Sequence, residues 1–150
     1  MVLSLVSKLF IPCFGYADRM DFYGFANGAF HHTLNLASAA WVLYSLAHDL
    51  ISSGAVFIGL STKNIVKYQA VIGLLTEATS RDIRDLVVFM DSHLVVCHLN
   101  HVYTIRNHVL LHSFQRVHLL ERSFECITYR HIPRSDNRVA DSLAKYILDW

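Results

Sequence analysis

Asp91 follows a continuous apolar run, Leu86–Met90, and precedes Ser92, a residue type suited to capping a helix. In open α/β sheets, functional groups gather at the carboxyl ends of strands. A carboxylate in that place serves either as a metal ligand or as a helix N-cap, and spacing alone leaves both open. Among ten histidines, His108 and His112 are spaced i, i+4, and His98 and His101 i, i+3. Such pairs can seat a metal, but no glutamate completes a metalloprotease pattern, and scattered helix-face histidines are ordinarily solvated. Cys13, Cys97 and Cys126 are odd in number and form no CxxC pair. They are read as incidental thiols or a sign of a reducing compartment, with neither a zinc site nor a disulfide frame. No nucleophile elbow and no phosphate-cradling glycine loop is present. Trp41, Tyr44 and Phe57 are read as sheet packing rather than base-stacking platforms.

The elements that must position Asp91 follow from apolar spacing. Asp21–Asn27 alternates loosely and ends at Gly28, and Ser38–Ser45 and Gly54–Leu60 are rich in strand formers, which predicts an antiparallel meander of three strands. Ser61 or Thr62 can cap a helix carrying Ile65, Tyr68, Ile72 and Leu75 at helical intervals through Ala78. Leu86–Met90 reads as a strand buried on both faces. A short helix from Ser92 to Leu99, a longer one over Asn107–Arg122, a strand over Glu125–His131 and a closing helix over Arg138–Leu148 complete the order. The expectation is β-β-β-α-β-α-α-β-α, an α/β domain with a mixed sheet.

Composition bounds the alternatives. The chain has 150 residues, enough for one domain, and 53% hydrophobic against 17% charged residues, which excludes a disordered polypeptide. Mean hydropathy is positive, yet no run of about 18 apolar residues lacks a charge, so no membrane span is expected. The most apolar stretch, Met1–Tyr16, is divided by Lys8 and lacks a clean signal-peptide pattern, and the first arginine is Arg19, unlike an arginine-rich presequence. Residues 1–19 are read as an N-terminal extension or upstream remnant, and 20–150 as the domain. A formal net charge of +1 does not by itself announce a nucleic-acid binder.

Four segments, in order, resemble one family. VVFMDSHLVV looks like the strand–Asp–Ser–helix segment of ribonuclease H domains from plant Ty3/gypsy-type retrotransposons and related reverse-transcriptase-like proteins. HIPRSDNRVADSLA is similar to that family's closing signature, STKNIVKYQAVIGLL to its central helix, and FYGFANGAF to its first strand. The match spans about residues 20 to 149. The resemblance implies a ribonuclease H-like fold, a five-stranded mixed sheet of three antiparallel strands then two parallel ones, flanked by helices. It also implies a hydrolase that cuts the RNA of an RNA–DNA hybrid using two Mg²⁺ or Mn²⁺ ions about 4 Å apart, held by hard carboxylate oxygens.

Carried over residue by residue, the resemblance makes Asp91 and Asp141 the remaining catalytic and metal-binding carboxylates. His131, ten residues before Asp141, stands where the family often places a histidine for proton transfer or product release. Asn27 stands in place of the first Asp, and Lys67 in place of the central-helix Glu. Asn27 keeps an aspartate's shape without its charge. An ammonium about 4 Å from a divalent ion is repelled by as much as about 8 kcal/mol at an effective dielectric near 20, unless it swings aside or pairs with Asp91. Since about 1.4 kcal/mol is tenfold in affinity, metal is expected to bind weakly or not at all, and catalysis to be impaired or lost.

Weak binding of a hybrid or other nucleic acid would rest on phosphate contacts from Arg106, Arg134 and Arg138. The competing readings are a non-enzymatic structural or interaction module, meeting a partner through the N-terminal segment or the Val109–Leu120 helix, and a functionless retroelement fragment. An active enzyme is the minority reading. Oligomeric state stays open. So does the intracellular compartment: plant retroelement fragments occur in nuclear and organellar genomes, so the mitochondrion is among the options.

Overall fold

Alternation, which sends successive strand residues to opposite faces, organises the molecule. The computed structural model describes residues 22–148, so the extension expected over 1–19 lies outside the described residues. Strands β1 (Phe22–His31), β2 (Leu36–Ser45) and β3 (Leu50–Leu60) pair antiparallel. Helix α1 (Lys63–Ser80) then leads to β4 (Asp85–Met90), which returns parallel to β1. Helices α2 (His93–Leu99) and α3 (His108–Glu121) precede β5 (Cys126–His131), parallel to β4, and α4 (Arg138–Leu148) closes the chain. The sheet order is β3-β2-β1-β4-β5, the mixed five-stranded arrangement expected.

The two faces divide by parity. Ala26, Leu86, Val88 and Met90 meet the buried side of α1, through Val66, Leu74 and Leu75. Tyr23, Phe25, Val87 and Phe89 meet Ala140 of α4 on the opposite face. β4 therefore buries both faces, which is why its sequence is an unbroken apolar run. Each such large side chain contributes about 1.5–3 kcal/mol by leaving water. Thr62, rather than Ser61, caps α1, accepting from the Ile65 N–H at 3.4 Å.

Strand ends differ from the sequence reading. β1 runs past Gly28 to His31, because its antiparallel ladder with β2 continues to the His31–Leu36 pair. Gly28 is no terminator; a Cβ there would lie 2.8 Å from Val66 Cγ1 and 3.2 Å from the Lys67 N, so its absence lets α1 settle on the strand. β3 likewise begins at Leu50, where the serines Ser52 and Ser53 disguise a paired strand. Trp41 is a packing residue as expected. A Cβ at Gly54 or Gly73 would sit 2.5 or 2.3 Å from its indole, so two glycines make its slot. Cys97 is a buried free thiol, whereas Cys126 is disulfide-bonded, a departure from the expectation of incidental thiols. An odd count excludes a complete disulfide frame but not a single bridge. No helix among the described residues is long and apolar enough to cross a membrane.

Candidate active site

The register Ala26↔Met90 between parallel strands places the next residue of each, Asn27 and Asp91, side by side at the carboxyl edge of the sheet. Asn27 is an odd position of β1, whose odd positions face α4, and it turns toward Asp141 in that helix; Asp91, one residue past β4, is close enough to Asp141 to feel its charge. Asn27 is 4% exposed, and its Nδ2 donates to Asp141 Oδ1 at 2.9 Å. The other oxygen of Asp141, Oδ2, is paired with Lys145 Nζ at 2.9 Å, one turn further along the helix. Asp141 is thus a bridge between β1 and a lysine, and not a solvated helix-surface charge.

The alternative readings of Asp91 separate at Ser92. The Ser92 hydroxyl accepts from the Val95 N–H at 3.4 Å and caps α2. The Asp91 carboxylate is left to face the cavity. Burial pushes its pKa above the usual carboxylate range, and neighbouring Asp141 adds to that, while Lys67, Arg134 and a hydrogen bond from Asn137 pull it back. Asn137, 1% exposed, also donates to the Ala26 carbonyl at 3.1 Å, tying the turn before α4 to β1. In the sequence, the signal for Asn137 is its place three residues after Arg134, inside the closing signature.

These groups line a cavity of about 530 Å³. Asn27, Lys67, Asp91, Arg134 and Asp141 all border it, so five of the expected site residues converge. Lys63 and Lys145 also border it, giving, among the described residues, four cationic side chains against two carboxylates. Among the described residues, no group of three or more His, Cys, Asp or Glu is placed to hold a metal ion.

The remaining expected residues lie elsewhere. His131, at the exposed end of β5, packs edge-to-face against His93 at 5.4 Å and does not border the cavity. Arg106 is exposed in the loop before α3. Arg138 borders a separate, mainly apolar groove with Val42, Leu50 and Tyr146. His108 and His112 stand exposed one turn apart on α3, whereas His98 and His101 are separated. His98 is buried and bonded to the Tyr68 hydroxyl at 2.9 Å, whereas His101 is exposed.

Comparison with known proteins agrees with this frame. Residues 25–147 match the reverse transcriptase-like family. Ribonuclease HI of Halobacterium salinarum is 29% identical over 127 residues, covering 85% of this chain and 64% of that protein. The crystal structure of RNase H1 from that archaeon has a TM-score of 0.82 at 29% identity, over 85% of this chain and 97% of the other. The N-terminal RNase H domain of Rv2228c from Mycobacterium tuberculosis gives 0.82 at 26% identity, over 85% and 93%. The full-length bifunctional protein Rv2228c is 32% identical over 92 residues, which are 61% of this chain and 25% of that protein. LC11-RNase H1, obtained from compost by metagenomics and crystallised with an RNA/DNA hybrid, gives 0.78 at 22% identity, over 83% and 94%, and shares the fold.

Proposed function

The chain belongs to the reverse transcriptase-like family, and from that membership we propose that it is a ribonuclease H-like domain that binds RNA–DNA hybrids with its two-metal cleavage impaired or lost. The order of its four sequence motifs supports descent from a plant Ty3/gypsy-type retroelement, with residues 20–150 as the domain. Ribonuclease H chemistry in general depends on divalent metals, and hybrid binding is a property of relatives such as LC11-RNase H1.

The observation that carries the reading is the bond from Asn27 to Asp141. A two-metal site needs several anionic oxygens turned toward the cations. Here an amide N–H is aimed at one of the two remaining carboxylates, a lysine is paired with that carboxylate's other oxygen, and Lys67 is close enough to lower the pKa of the second. The donor set does not fit a pair of divalent cations. Asp91 and Asp141 would be the metal ligands and catalytic groups of the parent site, Asn27 and Lys67 its altered positions, and His131 an accessory remnant. Phosphate contacts fall to Arg134 at the cavity, with Arg106 and Arg138 as outlying contacts.

A cleavage assay on a labelled RNA–DNA hybrid with magnesium or manganese tests this. The chain as it stands should cut little or not at all, and the double change Asn27→Asp with Lys67→Glu should restore cutting. Robust metal-dependent cutting by the unaltered chain, abolished by Asp91→Asn, would overturn the reading.

A further inference from the structure

The cavity at the sheet edge has the charge of an anion site. Among the described residues, Lys63, Lys67, Arg134 and Lys145 border it against Asp91 and Asp141, a formal excess of two positive charges. Lys145 is committed to Asp141; Lys63, Lys67 and Arg134 have no such ion pair among the described residues. Lys63 and Lys67 lie in the opening turns of the 18-residue α1, whose first turn has no acidic residue. The partial positive charge of that helix end therefore adds to the lysines instead of being cancelled. The two carboxylates offset half of that positive charge, and the remainder is left for an incoming anion to neutralise. A helix amino end with converging cations suits phosphate oxygens in particular.

We propose that this cavity holds a backbone phosphodiester of a nucleic acid directly on Lys67 and Arg134, without a divalent cation. The inference rests on the hybrid-binding reading above and adds the mode of binding to it. An ammonium or guanidinium neutralises phosphate oxygens but has no coordination position for a water to be ionised, so the arrangement binds without cutting. Lys67 thus does more than block a metal, since it supplies charge at the place where the phosphate needs it.

The test is fluorescence anisotropy of the full chain with a labelled RNA–DNA hybrid, in EDTA, across a salt series. The chain should bind in EDTA. Lys67→Gln should weaken binding about eightfold at roughly 0.1 M salt and lower the log–log salt slope by about 0.9, the share of one phosphate contact. Lys67→Arg should retain affinity, and Arg81→Gln, at the opposite end of α1, should leave it unchanged. Binding that needs added magnesium would overturn the proposal. So would binding in EDTA indifferent to Lys67→Gln, although the hybrid-binding reading would then survive. Displacement of the hybrid by adenosine monophosphate at a comparable concentration would assign the cavity to free phosphomonoesters and also overturn it. Failure to bind with or without magnesium would remove the hybrid-binding reading and this proposal together.

Discussion

Asn27→Asp, made alone, turns the central contact of the cavity from attraction to repulsion. In the present chain the Asn27 amide donates to Asp141 Oδ1 at 2.9 Å from a position that is 4% exposed. An aspartate there sets two carboxylates face to face, with charge centres about 4 Å apart, and at an effective dielectric near 20 this costs about 4 kcal/mol. Lys145 on the other oxygen of Asp141, together with that side chain's 18% exposure, offsets part of this. Loss of the amide-to-carboxylate bond adds back about 1.5–3 kcal/mol. With about half of the repulsion offset at this partly exposed pair, the net expectation is destabilisation by about 3–5 kcal/mol at neutral pH, a fall in Tm of roughly 6–20 °C for a domain of this size. Thermal unfolding followed by circular dichroism in EDTA measures it. The penalty requires both carboxylates to be charged, so the difference in Tm between Asn27→Asp and the unaltered chain should vanish on acidification once one of them takes a proton. Equal melting of Asn27→Asp and the original chain at neutral pH in EDTA would refute the contact and the charge argument built on it.

Two further outcomes follow from the same geometry. Burial holds the Asp91 pKa above its unfolded value, so folding favours the protonated form; stability is lost as pH rises from the unfolded toward the raised folded pKa, and the cost is complete above it. Asp91→Asn should therefore raise Tm at neutral pH in EDTA and leave it unchanged well below the carboxylate range, and a uniform rise at all pH values would count against this. Gly28→Ala should cost about 1–3 kcal/mol in urea denaturation, because the new methyl would meet Val66 Cγ1 at 2.8 Å and press on the Lys67 backbone at 3.2 Å; a neutral result would mean that α1 is free to shift on β1.

Local pattern alone determined the order and kind of the elements. The apolar run Leu86–Met90 reads as a strand buried on both faces, and the helical spacing in α1 needed no partner to be read. Motif order then pointed to Asn27, Lys67, Asp91 and Asp141 as one site, and they do border one cavity. Tertiary structure decided what those residues do to one another. That Ser92 caps α2 and frees Asp91, that Asn27 bonds to a residue 114 positions away, and that Lys145 closes on Asp141 depend on strand register and helix rotation. It also decided that Arg134 joins the cavity while Arg138, four residues on, borders a different groove. Gly28 was misread as the end of a strand for the same reason: its missing Cβ answers to the approach of α1, a neighbour distant in sequence. Periodicity is written within a short window of chain, whereas hydrogen bonds and charge pairs across the sheet edge arise only when separate windows meet.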